Sequence, residues 1–317
     1  MIRSRIAGAG HYLPEKVLTN HDLEKMVETT HDWIVQRTGI HQRHIAKDNE
    51  KTSDMAIAAA KKAIEQANLS PDDIDGVIVA TATADRAFPS VAVAVQHALG
   101  IKHGPAFDLS AACSGFVYGL STADALIRTG QVKKLLVIGA EKFSSIVDWD
   151  DRRTCVLFGD GAGAVVLEAY EGQGTKEDQG FLTSHLHADG KYQEMLFVDA
   201  ESGFVNMDGQ EVFKFAVNSM SKIVSQTLES VGLTADDVDW LIPHQANVRI
   251  LDATARKLKM PSDKVVVTVN QHGNTSAASI PLAFSTAISD GRVKRGDLIL
   301  FEALGGGFTW GSALVRY

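Results

Sequence analysis

Apolar runs and helical stretches alternate along the chain. Gly76–Thr83 (GVIVATAT), Lys134–Ala140 (KLLVIGA), Lys264–Val269 (KVVVTV) and Asp297–Glu302 (DLILFE) are apolar or β-branched almost throughout, the pattern of strands buried on both faces. Arg5–Gly10, Phe181–His187, Trp240–Pro243 and Gly311–Arg316 read as further strands. Between them, Ser53–Ala67, a segment from Phe88-Pro89-Ser90 to Leu99, Phe116–Thr129, Val212–Val231, Val248–Lys259 and Thr275–Asp290 predict helices. Asn20 reads as the N-cap of a helix starting near His21, with Asp22 and Glu24 in or near its first turn. Within Thr29–Gly39, Trp33 and Arg37 stand at i and i+4 and would share a helix face.

Phe158–Ala164 (FGDGAGA) has glycines at alternate positions and reads as a tight turn where backbones approach one another. A phosphate-binding or dinucleotide loop needs a helix directly after the glycines. Here the apolar strand Val165-Val166-Leu167 follows, which argues against both. Gly172–Gln179 is polar and reads as the connection between two halves, 1–172 and 173–317.

Those halves repeat each other. LSPDDIDGVIVATA, from Leu69, aligns with LTADDVDWLIPHQA, from Leu233, at an offset of 164. TGQVKKLLVIGAE, from Thr129, resembles DGRVKRGDLILFEA, from Asp290, at an offset of 161. Each half runs helix, strand, helix, strand, small-residue helix, strand. The fold class is therefore α/β, with sheets covered on both faces and a site expected at the junction of a pseudo-twofold molecule.

Composition narrows the function classes. A chain of 317 residues with 45% hydrophobic and 22% charged residues is globular, and a net charge of −8 argues against non-specific nucleic-acid binding. Cys113 and Cys155 are too few for a disulfide framework or a cysteine-based zinc site, so no metal is expected. No stretch approaches the roughly 20 apolar residues of a membrane span. His11, Glu15 and Lys16 interrupt any leader-like apolar run, so a cytoplasmic protein is the expectation.

The chemistry centres on DLSAACSGF, residues 108–116, where Cys113 stands between a strand and a helix among small residues. A helix start favours thiolate over thiol. By the repeat, the matching helix in the second half follows His272-Gly273-Asn274-Thr275-Ser276, and His244 ends the strand equivalent to the one ending near Ala80. Cys113, His244 and Asn274 are thereby expected in one pocket. Singly, each has a plainer reading: a small core cysteine, a satisfied core histidine, an N-cap asparagine. Together they suit acyl transfer through a thioester followed by carbanion attack, with backbone N–H groups of Cys113 and the Gly305–Gly307 loop, Gly306 among them, as an oxyanion hole. A thiol protease would use the histidine as base and the asparagine to orient it, and spacing does not separate the two.

DLSAACSGF, GDGAGAVVL, PHQANVRI, HGNTSAASIP and EALGGGFTWGSALVRY, spread over nearly the whole chain, resemble the β-ketoacyl-acyl-carrier-protein synthase III family. The resemblance implies a thiolase fold, duplicated halves in a five-layered αβαβα sandwich, working as a homodimer. It implies an acyltransferase that loads acetyl from acetyl-CoA onto Cys113 and condenses it decarboxylatively with malonyl-acyl-carrier protein. No cofactor is implied, because the CoA thioester is a substrate. His244 and Asn274 would stabilise the malonyl enolate. Thr29, Trp33, Arg37 and Arg152 match the adenine end of the CoA site, and Gly209, Phe213, Ala246 and Asn247 the pantetheine tunnel. Gln245, Ala246, Asn247, Val248 and Arg249 match the carrier-protein contact, with Lys214, Arg256 and Lys257 completing a basic patch.

Arg153, Gln210 and Leu304 stand where glycine, asparagine and phenylalanine are common in the family's enteric members. Phe88 matches the residue through which a partner subunit closes the primer pocket, and its bulk favours a short primer such as acetyl. Competing readings are a relative acting in secondary metabolism and a non-catalytic carrier-protein-binding module. The retained Cys113, His244 and Asn274 favour the initiating enzyme over both.

Overall fold

The computed structural model describes residues 1–317. The first half supplies β1 (Ile2–Tyr12), β2 (Val77–Ala80), β3 (Ala106–Leu109), β4 (Lys134–Glu141) and β5 (Gly161–Glu171), in the spatial order β1-β5-β4-β2-β3. The second supplies β6 (Gly180–Ala188), β7 (Trp240–Pro243), β8 (Leu298–Gly305) and β9 (Thr309–Arg316), in the order β7-β8-β9-β6. The central pairs β2/β4 and β7/β8 are parallel, and β5 and β9 return antiparallel beside them.

The main helices are α1 (His31–Thr38), α2 (Thr52–Gln66), α3 (Val91–Leu99), α4 (Gly115–Arg128), α5 (Gly209–Glu229), α6 (Val248–Leu258) and α7 (Ser279–Ser289). Helices α2 and α3 cover the outside of the first sheet, α4 and α7 lie between the sheets, and α5 with α6 covers the outside of the second. These are the five layers the resemblance implies. The largest apolar cluster joins Ile78, Phe116 and Leu120 to Phe284 and Phe301 across the two halves.

Small residues let the middle layer sit close. A Cβ at Gly139 would lie 2.2 Å from the Ala277 carbonyl oxygen, and one at Gly163 2.6 Å from the Leu282 nitrogen. The glycines of FGDGAGA are accordingly not a turn. From Gly161 they belong to β5, and their alternation brings α7 against one face of the sheet.

The duplication extends to detail. Asp73 closes a capping box on Ser70, and Asp237 does so on Thr234. Asp75 and Asp239 then receive the strand that follows, at Lys134 and Leu298. The short turns Ala112–Ser114 and Ser276–Ala278 open with left-handed residues, φ 45° at Ala112 and 50° at Ser276.

Two further sequence expectations are corrected. Thr19, not Asn20, caps the short helix, paired with Asp22, while Asn20 is buried and accepts from Arg43. Lys264–Val269 is not a strand. A single bridge pairs Leu241 with Val265, after which the Gln245 side chain takes the Thr268 and Val269 N–H groups and the Val266 carbonyl, occupying positions a ladder would need.

Candidate active site

Cys113 sits on the turn before α4, His244 directly after β7, and Asn274 on the turn before α7. All three line one cavity of about 150 Å³. The His244 N–H donates to the Glu302 carbonyl at 2.8 Å, which ties it to β8.

The polar atoms of His244 and Asn274 are oriented by their neighbours. Ser279 Oγ accepts the Gln245 N–H at 3.3 Å and lies 2.6 Å from His244 Nδ1. Where the Ser279 hydroxyl donates to Nδ1, the imidazole carries its proton on Nε2 and presents it as a donor. Burial lowers His244 to about 4, so the ring is neutral near pH 7. Asn274 Oδ1 accepts the Ser276 N–H at 2.9 Å, so its amide nitrogen is free to face the cavity. The asparagine does not orient the histidine, and the protease arrangement is thereby excluded. What the pair offers is two neutral donors.

The thiol is not the ready thiolate that the helix start suggested. Burial pushes Cys113 up to about 12, the nearby Ser276 hydroxyl counters it, and the Glu141 charge adds to the rise. Desolvation outweighs the helix end because the thiol is almost fully enclosed. Gly305 packs on the same turn, where a Cβ would lie 2.7 Å from the Cys113 nitrogen. A second cavity, of about 120 Å³, also contacts Cys113 and is lined by Phe143, Phe197, Val205 and Gly306. Its size and apolar walls suit a short acyl chain.

Gly209, Phe213, Ala246 and Asn247 line the first cavity outward from the trio, with Leu304 among its apolar walls. Asn247 Nδ2 donates to the Arg37 carbonyl at 3.0 Å, joining α6 to α1 and so to the rim. There the guanidiniums of Arg37 and Arg152 lie 5.8 and 5.4 Å from the Trp33 ring centre. The Thr29 hydroxyl, beside them in sequence, is buried without a partner. An indole bracketed by two cations is a surface on which a phosphorylated purine can stack.

The basic residues are less uniform than expected. Arg249 lies 5.5 Å from the Phe213 ring at the tunnel, with Val248 next to it packed on Gly39. Lys214 is paired with Glu211, and Lys257 donates to Asn218. Arg256 occupies the last turn of α6. Gln245 is corrected: it is 1% exposed with its amide fully bonded, so it shapes the scaffold and cannot touch a docked protein. Phe88 is 83% exposed and lines neither cavity of its own chain. Arg153 pairs with Asp151 at the surface, and Gln210 lies in the first turn of α5.

Ser276, Ser279 and Glu141 were not anticipated. For Glu141 a signal existed, since it ends an apolar strand and the repeat carries Glu302 at the same place. No cluster of His, Cys, Asp and Glu is arranged to hold a metal ion, and no helix is long and apolar enough to cross a membrane.

Residues 107–190 match the family described as 3-oxoacyl-[acyl-carrier-protein] synthase III, and residues 228–317 match its C-terminal family. A curated β-ketoacyl-[acyl-carrier-protein] synthase III of Allorhizobium ampelinum is 57% identical, with both chains covered in full. The crystal structure of the synthase III from Aquifex aeolicus superposes with a TM-score of 0.94 at 52% identity, over 99% of this chain and 100% of that one. That from Pseudomonas aeruginosa gives 0.94 at 41%, over 99% and 98%.

Proposed function

The chain belongs to the β-ketoacyl-[acyl-carrier-protein] synthase III family, and from that membership we propose that Cys113, His244 and Asn274 carry its reaction. It is a thiolase-fold condensing enzyme: acetyl-CoA and malonyl-carrier protein become acetoacetyl-carrier protein, CO2 and CoA, which initiates fatty-acid elongation. The observation that carries the residue assignment is the pair of neutral donors beside the thiol, Nε2–H of His244 and Nδ2 of Asn274.

The Cys113 sulfur attacks the acetyl thioester, and the tetrahedral oxygen is received by the N–H groups of Cys113 and Gly306. CoA leaves and the malonyl arm enters the same tunnel. Loss of its carboxylate puts charge on the thioester oxygen, where the two donors meet it. Being neutral before the step, they strengthen as that charge develops. The enolate carbon then attacks acetyl-Cys113, the acyl–sulfur bond breaks, and acetoacetyl-carrier protein leaves as the Cys113 sulfur is freed. The thioester supplies the reactive group, so the reading needs no resident cofactor or metal.

The CoA residues Thr29, Trp33, Arg37, Arg152, Gly209, Phe213, Ala246 and Asn247 belong to the same proposal, as does carrier-protein contact through Ala246, Asn247, Val248, Arg249, Arg256, Lys214 and Lys257. A homodimer is proposed because Phe88 stands bare and β3 ends its sheet with an open edge. The division into 1–172 and 173–317 rests on each half having its own sheet. A cytoplasmic location is proposed on its two free cysteines.

Intact mass after acetyl-CoA, wild type beside Cys113→Ser, tests the assignment. One acetyl adduct on wild type, absent from the variant and discharged by malonyl-carrier protein, is expected. An adduct that persists with malonyl-carrier protein would overturn it.

A further inference from the structure

Glu141 ends β4, and its carboxylate is fully buried. It accepts from Thr81 Oγ1 at 3.3 Å, from the Ala82 N–H at 3.1 Å and from the Thr83 hydroxyl, all in the loop after β2. From the other half it accepts Ser276 Oγ at 3.0 Å. Every partner is neutral. Lys142, next in sequence, turns away to the carbonyls of Lys47, Asp48 and Glu50, and Asp160 binds Ser144 and Ala46. The titratable group of the site that feels its charge is Cys113.

Ser276 and Cys113 line the same cavity, and the Ser276 hydroxyl is near enough to the sulfur to act on its titration. Ser276 opens its turn in the left-handed region, φ 50°. The hydroxyl thus stands on the same cavity as the thiol and donates to the carboxylate behind it. His244 is a poor alternative, since burial lowers it to about 4.

Resting on the function proposed above, we propose that the Cys113 proton leaves through the Ser276 hydroxyl to Glu141. The S–H bond breaks as Ser276 Oγ takes that proton, and the hydroxyl's own proton passes to the carboxylate. The sulfur electron pair forms the bond to the thioester carbon. Collapse of the adduct expels CoA thiolate, which recovers a proton from Glu141 by the reverse route. Atoms and charge balance without a further reactant. The transfer also removes the carboxylate charge that opposes the thiolate. Burial raises Glu141 to about 7, which matches a base to neutral pH.

The test measures two rates on Cys113 by intact mass between about pH 6 and 9: acylation by acetyl-CoA and alkylation by iodoacetamide. The proteins are wild type, Ser276→Ala, Glu141→Gln and the double variant. Ala112 adopts φ 45° at the matching place, so alanine at 276 keeps the turn even if Glu141→Gln folds poorly. Each single variant should lose roughly 100-fold in both rates near neutral pH. The double variant should fall no further, as for groups acting as a unit. The wild-type rates should rise through about pH 7, and Glu141→Gln should lose that rise. The ratio of acylation to malonyl decarboxylation should drop by roughly 30-fold or more, which a merely structural role would not produce. Near-wild-type rates in Ser276→Ala, a pH rise preserved in Glu141→Gln, or equal loss of both half-reactions would each overturn the relay. Iodoacetamide needs no thioester. A relay seen with it in a protein that never takes acetyl would leave the relay standing and remove the functional reading.

Discussion

The Ser276 N–H and the Asn274 side-chain oxygen are 2.9 Å apart, and this one bond fixes which end of the amide faces substrate. An N–H can only donate, so Oδ1 must turn to it and Nδ2 to the cavity. Asn274→Asp keeps the acceptor but puts a negative oxygen where the donor stood. Malonyl decarboxylation should fall by roughly 100-fold or more while acylation of Cys113 survives. Measuring the two half-reactions separately checks it, and equal losses would contradict the orientation.

Stability should peak in mildly acidic solution. Burial lowers His244 and His272 from 6.5 to about 4, so the unfolded chain takes up those protons first and stability is lost as pH falls from about 6.5 toward 4. Glu141 and Glu302 move the other way, from 4.5 to about 7 and about 8. Their stabilising proton is present below about 4.5 and lost as pH rises through 7 and 8. The thermal midpoint should fall on both sides of about pH 6, and Glu302→Gln should flatten the alkaline side. A midpoint level from about pH 5 to 8.5 would contradict this.

Trp33→Ala removes the ring that the two arginines flank. KM for acetyl-CoA should rise by roughly 10-fold with little change in kcat, and acetyl-pantetheine, which lacks the purine, should be unaffected. Comparing the two donors separates lost stacking from general damage.

Gly305→Ala should abolish acylation while leaving the protein folded. The new methyl group would stand within 3 Å of three backbone atoms of the Cys113 turn, the nearest at 2.7 Å. The turn would have to move, and a shift of about 1 Å at the reacting atom is enough to cost on the order of 100-fold. Acetyl adduct formation beside a thermal melt reads both.

Phe88 sets a limit on primer size if it closes the partner's pocket. Acetyl-CoA should turn over faster than butyryl- or isobutyryl-CoA, and Phe88→Thr should narrow the gap. Equal turnover of all three by wild type would assign the limit elsewhere.

Much of this was readable from the chain. The offset of 164 placed His244 and the Asn274 turn opposite Cys113 before any coordinates, because a duplicated fold brings equivalent segments together. The state of the thiol was not readable, since a helix start is visible in sequence whereas the enclosure that outweighs it is tertiary. Gln245 misled for a related reason. The resemblance placed the whole 245–249 segment at the carrier-protein contact, but the chain turns at Asn247, and the glutamine points inward to bond strandless backbone. Lys264–Val269 failed as a strand because that same side chain replaced the neighbour it lacked.

The twin left-handed turns have a historical consequence. Offset by 164, Ala112 answers to Ser276 and Cys113 to Ala277, while Glu141 and Glu302 keep the same buried station behind them. An ancestor with a single half, paired with its own copy, would have owned two equal turns and two equal acids. In the present chain one turn bears the sulfur and the other the hydroxyl beside it. One acid is surrounded by donors, and the other has none. On the relay proposed above, labour that two identical halves would share is divided within one polypeptide, and Glu302 keeps the acid's station without the donors.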